Sequence, residues 1–235
     1  MIMSVTLDAL RQLVVNMNDA EIIERQTGQG HPVTLLFIRT LIDQERLNEA
    51  VIGPLNGRSH DTIIGSLAAP RDAKITALNE ARKHLLQGSV LIHDGIRDEW
   101  WAVPLPNPLA RSIETSETET IIFGPKDSFS EQLEQNITLI RRRLPLAALK
   151  TETYTLGSLS QTTVVLMYID GLTNPEFISI ARNKITAIDF DLFLDSSHIA
   201  AFMEDQNHSL YPQFMQTDRP IPARIRLGWV NLYCW

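Results

Sequence analysis

The chain has 235 residues, 44% apolar and 21% charged, values that suit a folded globular protein and exclude wholesale disorder. Its 28 acidic and 21 basic residues give a formal charge of -7, and the only basic run is Arg141-Arg142-Arg143, so the balance argues against a nucleic-acid partner. A single cysteine, Cys234, excludes an internal disulfide and a multi-cysteine zinc site and fits a reducing compartment.

The N-terminus has neither a basic region nor a long apolar core, so it does not read as a signal peptide. Leu7 to Met17 carries apolar residues at helical spacing. Glu21 to Arg25 reads as an edge strand, Gly28-Gln29-Gly30 as a turn, and Val33 to Ile38 as a buried strand. A helix is expected over Asp43 to Ile52, a short strand at Ile63-Ile64, and an amphipathic helix from Ala73 to Gln87 closed by Gly88. Ser89 to His93 and Ile96 to Val103 read as a hairpin turning at Asp94-Gly95. Pro104, Pro106 and Pro108 then stiffen a linker, placing an N-terminal lobe at 1–103, the linker at 104–117 and a C-terminal lobe at 118–235.

In the second lobe, Thr118 to Phe123 reads as a strand and Ser128 to Leu144 as a helix. Strands follow at Tyr154 to Leu156 and Thr162 to Ile169. Asn174-Pro175 starts a helix that runs to about Ala187, with Phe177, Ile180, Ala181, Ile185 and Ile188 inward. Ser196 to Glu204 is a short helix, Asp218 to Pro222 a loop, and Ile225 to Tyr233 a closing strand.

The lobes resemble each other. Val33 to Ala50 aligns without gaps over Val164 to Ala181, with identities at Val33/Val164, Leu35/Leu166, Ile38/Ile169, Leu41/Leu172, Glu45/Glu176 and Ala50/Ala181. Gly88 to His93 lies over Gly228 to Tyr233, and Gly28 and Gly157 each precede a buried strand. The fold expected is therefore α/β: two small related lobes, mixed sheets flanked by helices, joined by the Pro-rich linker. On this pattern the second lobe stops where its hairpin would turn, as if cut inside a longer parent.

The helix from Ser128 to Leu144 is the most distinctive segment. Ser128 and Glu131 have capping-box spacing, and Phe129, Leu133, Ile137, Ile140 and Leu144 form one apolar stripe. Arg141, Arg142 and Arg143 fall in the last turn, where positive charge opposes the helix dipole. Arg142 points away from the stripe, as a solvated or partner-facing residue, and Asn136 and Arg143 share one flank that is open to either a structural or a functional role.

Enzyme signatures are missing: no nucleophile elbow, P-loop or dinucleotide fingerprint. His93-Asp94 has the makings of a base and its orienter, but Tyr233-Cys234 occupies the same places in the repeat, which favours a strand-to-turn role. Asp189, Asp191 and Asp195 lack the further ligands and glycine of a calcium loop. No metal, cofactor or catalytic set is assigned.

The ordered set Arg111-Ser112-Ile113, Glu119, Gly124-Pro125-Lys126-Asp127, Phe129, Glu131, Asn136 and Leu139 to Leu144 closely resembles the GerA family of spore germination proteins, specifically the A subunit. The likeness continues through Gly157, Thr162, Tyr168-Ile169, Gly171, Asn174, Pro212, Asp218-Arg219-Pro220 and Gly228. It implies a soluble N-terminal region followed by membrane helices in the parent, anchored in the spore inner membrane, with this region on the spore-core side. It implies transporter-like B and lipoprotein C subunits as partners, self-association of A subunits, a small nutrient germinant, and a role in sensing or coupling, with pure subunit assembly as the alternative. Asn136, Arg141, Arg142, Arg143, Arg111 and Glu119 are the ligand or interface candidates. Gly124, Pro125, Ser128, Glu131, Gly157 and Gly228 are the structural ones.

Overall fold

The structure, a computed structural model, describes residues 4–56, 73–108, 129–193, 196–204 and 231–234. The chain divides into two compact units, Met1–Ala110 with Arg141–Ala147, and Arg111–Ile140 with Ala148–Trp235. Arg141–Ala147, placed by sequence in the second lobe, thus groups with the first unit.

The first unit opens with helix α1 (Leu7–Leu13), capped by Thr6, whose hydroxyl accepts from the Ala9 N–H at 3.2 Å. It ends short of the expected Met17, because Val14 and Val15 are β-branched and Asn16 turns left-handed at φ 58°. Strands β1 (Ala20–Gln26) and β2 (Pro32–Ile38) form an antiparallel hairpin. Helix α2 (Gln44–Leu47) runs through a π turn (Asn48–Ile52) into α3 (Gly53–Leu55). After β3 (Ala73–Ile75) and α4 (Leu78–Leu86) come β4 (Ser89–Asp94) and β5 (Glu99–Pro104). The sheet order is β1-β2-β4-β5-β3.

Alternation along β2 explains its unbroken apolar run. Leu35 and Phe37 enter a core with Val51, Val90 and Ile92, while Leu36 and Ile38 enter another with Leu10, Leu85 and Leu91. Both faces of the strand are covered.

The helix expected over Ala73 to Gln87 is a strand followed by a shorter helix. Ala73–Ile75 pairs with Trp100–Ala102. The Glu80 carboxylate then accepts from the N–H groups of Thr76 (3.2 Å) and Ala77 (3.3 Å), fixing the start at Leu78. The β4–β5 turn is also longer than Asp94-Gly95. Its four residues end in Asp98 at φ 53°, and Asp94 Oδ1 accepts from Ile96 N at 2.9 Å. The proline segment begins as part of this unit. Leu105 lies in the core, its N–H donates to Gly88 O at 3.0 Å, and its carbonyl accepts from Asp43 N at 2.9 Å.

The second unit contains most of helix α5 (Leu133–Arg143), strands β6 (Leu149–Leu156) and β7 (Thr162–Ile169), helices α6 (Pro175–Ala187) and α7 (Ser196–Met203), and β8 (Asn231–Cys234). The sheet order is β6-β7-β8. Leu166 and Tyr168 pack on Ile178, Ala181 and Ile185 of α6 and on Ile199 and Met203 of α7. The expected inward residues Phe177 and Ile180 are instead exposed, and Ile178 is buried. Every described strand pair in both sheets is antiparallel, so within the α/β class no described pair is parallel. The strands expected at Ile63-Ile64 and Thr118 to Phe123, the loop Asp218 to Pro222, and Ile225 to Val230 lie outside the described residues.

The register tests the repeat directly. Val33↔Asp94, Thr34↔His93, Leu35↔Ile92 and Leu36↔Leu91 in the first sheet correspond to Val164↔Cys234, Val165↔Tyr233, Leu166↔Leu232 and Met167↔Asn231 in the second. Both ungapped alignments therefore describe the same three-stranded arrangement. The helices agree too: Asp43 caps α2 and Asn174 caps α6, each through its side chain.

Candidate functional site: the arginine-bearing helix and two ion pairs

Helix α5 starts at Leu133, later than its sequence suggested, so exposed Glu131 precedes the helix instead of completing a capping box. The entry is held by Asn136. Its Oδ1 accepts from Ser130 N at 2.9 Å and its Nδ2 donates to Ser130 O at 2.7 Å. One side-chain amide satisfies both backbone groups of a single residue, which needs a donor and an acceptor together. Asn136 is buried, and Ser130 Oγ accepts from Gln132 N at 3.2 Å. Ile137 and Ile140 are the buried members of the apolar stripe.

Arg141 is not a solvated charge balancing a dipole. Its side chain is 1% exposed and binds Asp19 bidentately: Nε donates to Oδ2, and Nη2 donates to Oδ1 at 2.6 Å. Thr40 Oγ1 also donates to Asp19 Oδ2, at 3.0 Å. Asp19 lies in the turn before β1, and its carbonyl accepts from Arg39 N at 2.7 Å. The last turn of α5 is thus fastened to the start of the first sheet. Arg142 is exposed and its Nη2 donates to the carbonyl of Asn107, tying the proline segment to the same turn. Arg143 is exposed, so it does not share the buried environment of Asn136. Arg111, Glu119, Gly124, Pro125, Ser128 and Gly228 lie outside the described residues.

Gly157 sits in the β6–β7 turn at φ 82°, and a Cβ there would stand 2.9 Å from Asp191 O and collide with Ser160 Oγ. Asp191, read from sequence as part of an acidic cluster on a solvated helix edge, organises this turn. Its carbonyl accepts from Leu159 N (3.0 Å) and Ser160 N (3.2 Å), and its carboxylate from Ser158 Oγ at 2.5 Å. Among the described residues no group of three or more His, Cys, Asp and Glu could hold a metal ion.

A second charged cluster escaped sequence reading. Glu152 on β6 accepts from Arg182 Nε (2.7 Å), Arg182 Nη2 (2.5 Å), Tyr154 OH (2.8 Å) and Tyr168 OH (2.7 Å). Arg182 also lies over the Tyr168 ring, 5.7 Å from its centre. Hydrogen bonds from Arg182, then from Tyr168 and Tyr154, hold the Glu152 carboxyl down at about 2 against the opposing effect of burial. Burial and Glu152 push Tyr154 up to about 12. The missed signal was one column beyond the repeat alignment, where Val51 meets Arg182. Chemically, the cluster is a satisfied, partly exposed pair, and the Asp19–Arg141 pair is a buried structural lock.

With this geometry in place, the chain can be set beside known proteins. Its fold is similar to the crystal structure of the N-terminal domain of the A subunit of the Bacillus megaterium spore germinant receptor GerK3, with a TM-score of 0.69, 19% identity and coverage of 100% of this chain and 93% of that one. The model of the Bacillus/Clostridium GerA spore germination protein family matches residues 8–227, and the chain belongs to that family. It is 30% identical to spore germination protein GerQA of Bacillus cereus over 97% of this chain and 47% of the relative. It is 27% identical to spore germination protein KA of Bacillus subtilis (strain 168) over 88% of this chain and 40% of the relative. The chain spans about half the length, or less, of these relatives. Among the described residues no helix is long and apolar enough to cross a membrane.

Proposed function

We propose that this chain is the N-terminal region of a spore germinant receptor A subunit and that it couples a nutrient signal to the rest of the receptor. The observation that carries this reading is the use made of the family-fingerprint helix. Asn136 and Arg141 are buried and bound to backbone and carboxylate, so the fingerprint is spent on fixing α5. Side chains buried and bonded in this way are not open to a small ligand, which favours coupling over sensing at this helix. In this reading the parent is attached to the spore inner membrane through a region beyond this chain, this region faces the spore core, and B and C subunits and further A subunits are its partners.

A second reading, direct sensing of a small nutrient germinant, is favoured by the Glu152–Arg182–Tyr168 cluster, which puts a half-exposed guanidinium at a prepared position. Pure subunit assembly is the third. The test is spore germination with the full-length protein carrying Arg141→Met and Asp19→Leu together, which removes both charges. Coupling predicts receptor at normal abundance with slowed germination. Normal germination would sink it. Titration of the purified protein with amino acids and sugars separates sensing, since saturable NMR shifts at Tyr154 and Tyr168 are required for it.

A further inference from the structure

The outer flank of α6 differs in one informative way from its counterpart in the first unit. The repeat sets capping Asp43 against Asn174, and buried Leu47 against buried Ile178. In the same frame Arg46 corresponds to Phe177 and Glu49 to Ile180. All four positions are exposed, and Phe177 and Ile180 are 51% and 44% exposed. The fold therefore accepts charged side chains here, and one copy has them. In the other copy two large apolar side chains stand three apart on one helix face, where they add nothing to the core. Leu172, in the turn leading into α6, is 53% exposed. Glu176 and Asp170 border these residues, both exposed, and neither makes an ion pair with a described residue.

We propose that Leu172, Phe177 and Ile180 form a docking surface for a different protein, one presenting an apolar side-chain cluster bordered by Lys or Arg. These exposed acids decide among occupants. An anionic bilayer would be repelled by Glu176 and Asp170. A second copy meeting this face symmetrically would bring Glu176 against Glu176. A basic-rimmed partner gains from the same charges that the other two must overcome. The surface holds whether the chain couples a signal or only assembles subunits.

The experiment uses the full-length protein in its native sporulating cell, with a photo-cross-linking amino acid at exposed Asn183, three residues beyond Ile180. The cross-linked peptide is sequenced by mass spectrometry. The proposal requires one protein other than this chain, contacted through a segment with apolar residues and at least one Lys or Arg. Installing the first unit's residues, Phe177→Arg with Ile180→Glu, should lower the yield about tenfold or more, as expected for loss of the apolar centre of an interface. Glu176→Lys alone, a change on the border, should lower it roughly threefold, and reversing the partner's basic residue should restore it. Hydrogen-exchange protection at Ile178 and Ala181 reports whether α6 stays folded, and the single Glu176→Lys variant decides the matter if the double does not. A cross-link to a second copy, to lipid or to nothing overturns the proposal, as does a yield indifferent to Glu176→Lys.

Discussion

Between hairpin and helix, the first unit is filled by Ile23, Phe37 and Val51, and the second by Glu152, Tyr168 and Arg182. The register makes these the same places. Ile23 pairs with Leu35 as Glu152 pairs with Leu166, and Arg25 pairs with Val33 as Tyr154 pairs with Val164. The first unit places its buried ion pair elsewhere, at Asp19 and Arg141. One backbone arrangement thus tolerates either chemistry, and what a polar cluster contributes can be measured against an apolar version that the chain itself supplies.

The largest effect should come from the pair with no apolar twin. Removing one member of a buried ion pair leaves the other charged and desolvated, at a cost of about 3–5 kcal/mol. Arg141→Met or Asp19→Leu alone should therefore unfold the first unit well below the wild-type midpoint, read by the fluorescence of Trp100 and Trp101. The double variant should recover most of the loss. If each single variant costs under about 1 kcal/mol, the pair is not the lock its burial indicates.

Next come the two hairpin glycines. Gly30 and Gly157 have the same φ, 82°, but a Cβ at Gly30 meets nothing within 4 Å while one at Gly157 meets Asp191 O at 2.9 Å. Gly30→Ala should cost about 1 kcal/mol from left-handed strain alone. Gly157→Ala should cost about 2–3 kcal/mol, because the turn must also move off Asp191. Hydrogen exchange across β1–β2 and β6–β7 separates the two effects, and equal losses would remove Asp191 from the account.

Much of this was legible from the residues. A short β-branched run that is apolar almost throughout marks β2 and β7 as buried strands, and Asn174-Pro175 announces a helix start by purely local chemistry. The ungapped repeat set β2 over β7 and β4 over β8 in the columns that the structure pairs equivalently, since apolar columns must stay in phase to keep facing the core. What stayed hidden was decided by contacts distant in sequence. Nothing near Arg141 signals an acid 122 residues away. The Ala73–Ile75 strand reads as helix because its partner, Trp100–Ala102, is what makes it a strand. Phe177 and Ile180 fit an inward stripe by spacing, and only the packing of Ile178 and Ala181 shows which side of α6 is covered.

Acid should act on the second unit through Glu152. Its carboxyl ionises at about 2 in the fold against an ordinary 4.5. A depressed value means that the contribution is complete above the unfolded value and is lost as pH falls from about 4.5 towards about 2. The Arg182 side chain is 40% exposed, so solvent screens the pair and the loss should be about 1 kcal/mol. Glu152→Gln should flatten that part of the acid curve for β6–β7 exchange, while the same pH range in the variant and the wild type should differ little for β1–β2. A wild-type slope that survives Glu152→Gln would assign the acid response to other carboxylates.

The smallest effect is expected from the most extensive change. Glu152→Ile, Tyr168→Phe and Arg182→Val together give the second unit the filling of the first. Replacing an ion pair by apolar groups of fitting shape removes the desolvation cost along with the attraction, and the net change is often near zero or favourable. Stability of the β6–β7 hairpin should therefore stay within about 1 kcal/mol of wild type, although four hydrogen bonds to Glu152 are lost. The single change Arg182→Val should cost more than the triple, because it strands Glu152. If the triple is stable and spores carrying it in the full-length protein germinate normally, the cluster is an accident of divergence between the copies. If it is stable and germination fails, the polar set in the second unit serves the signal and not the fold.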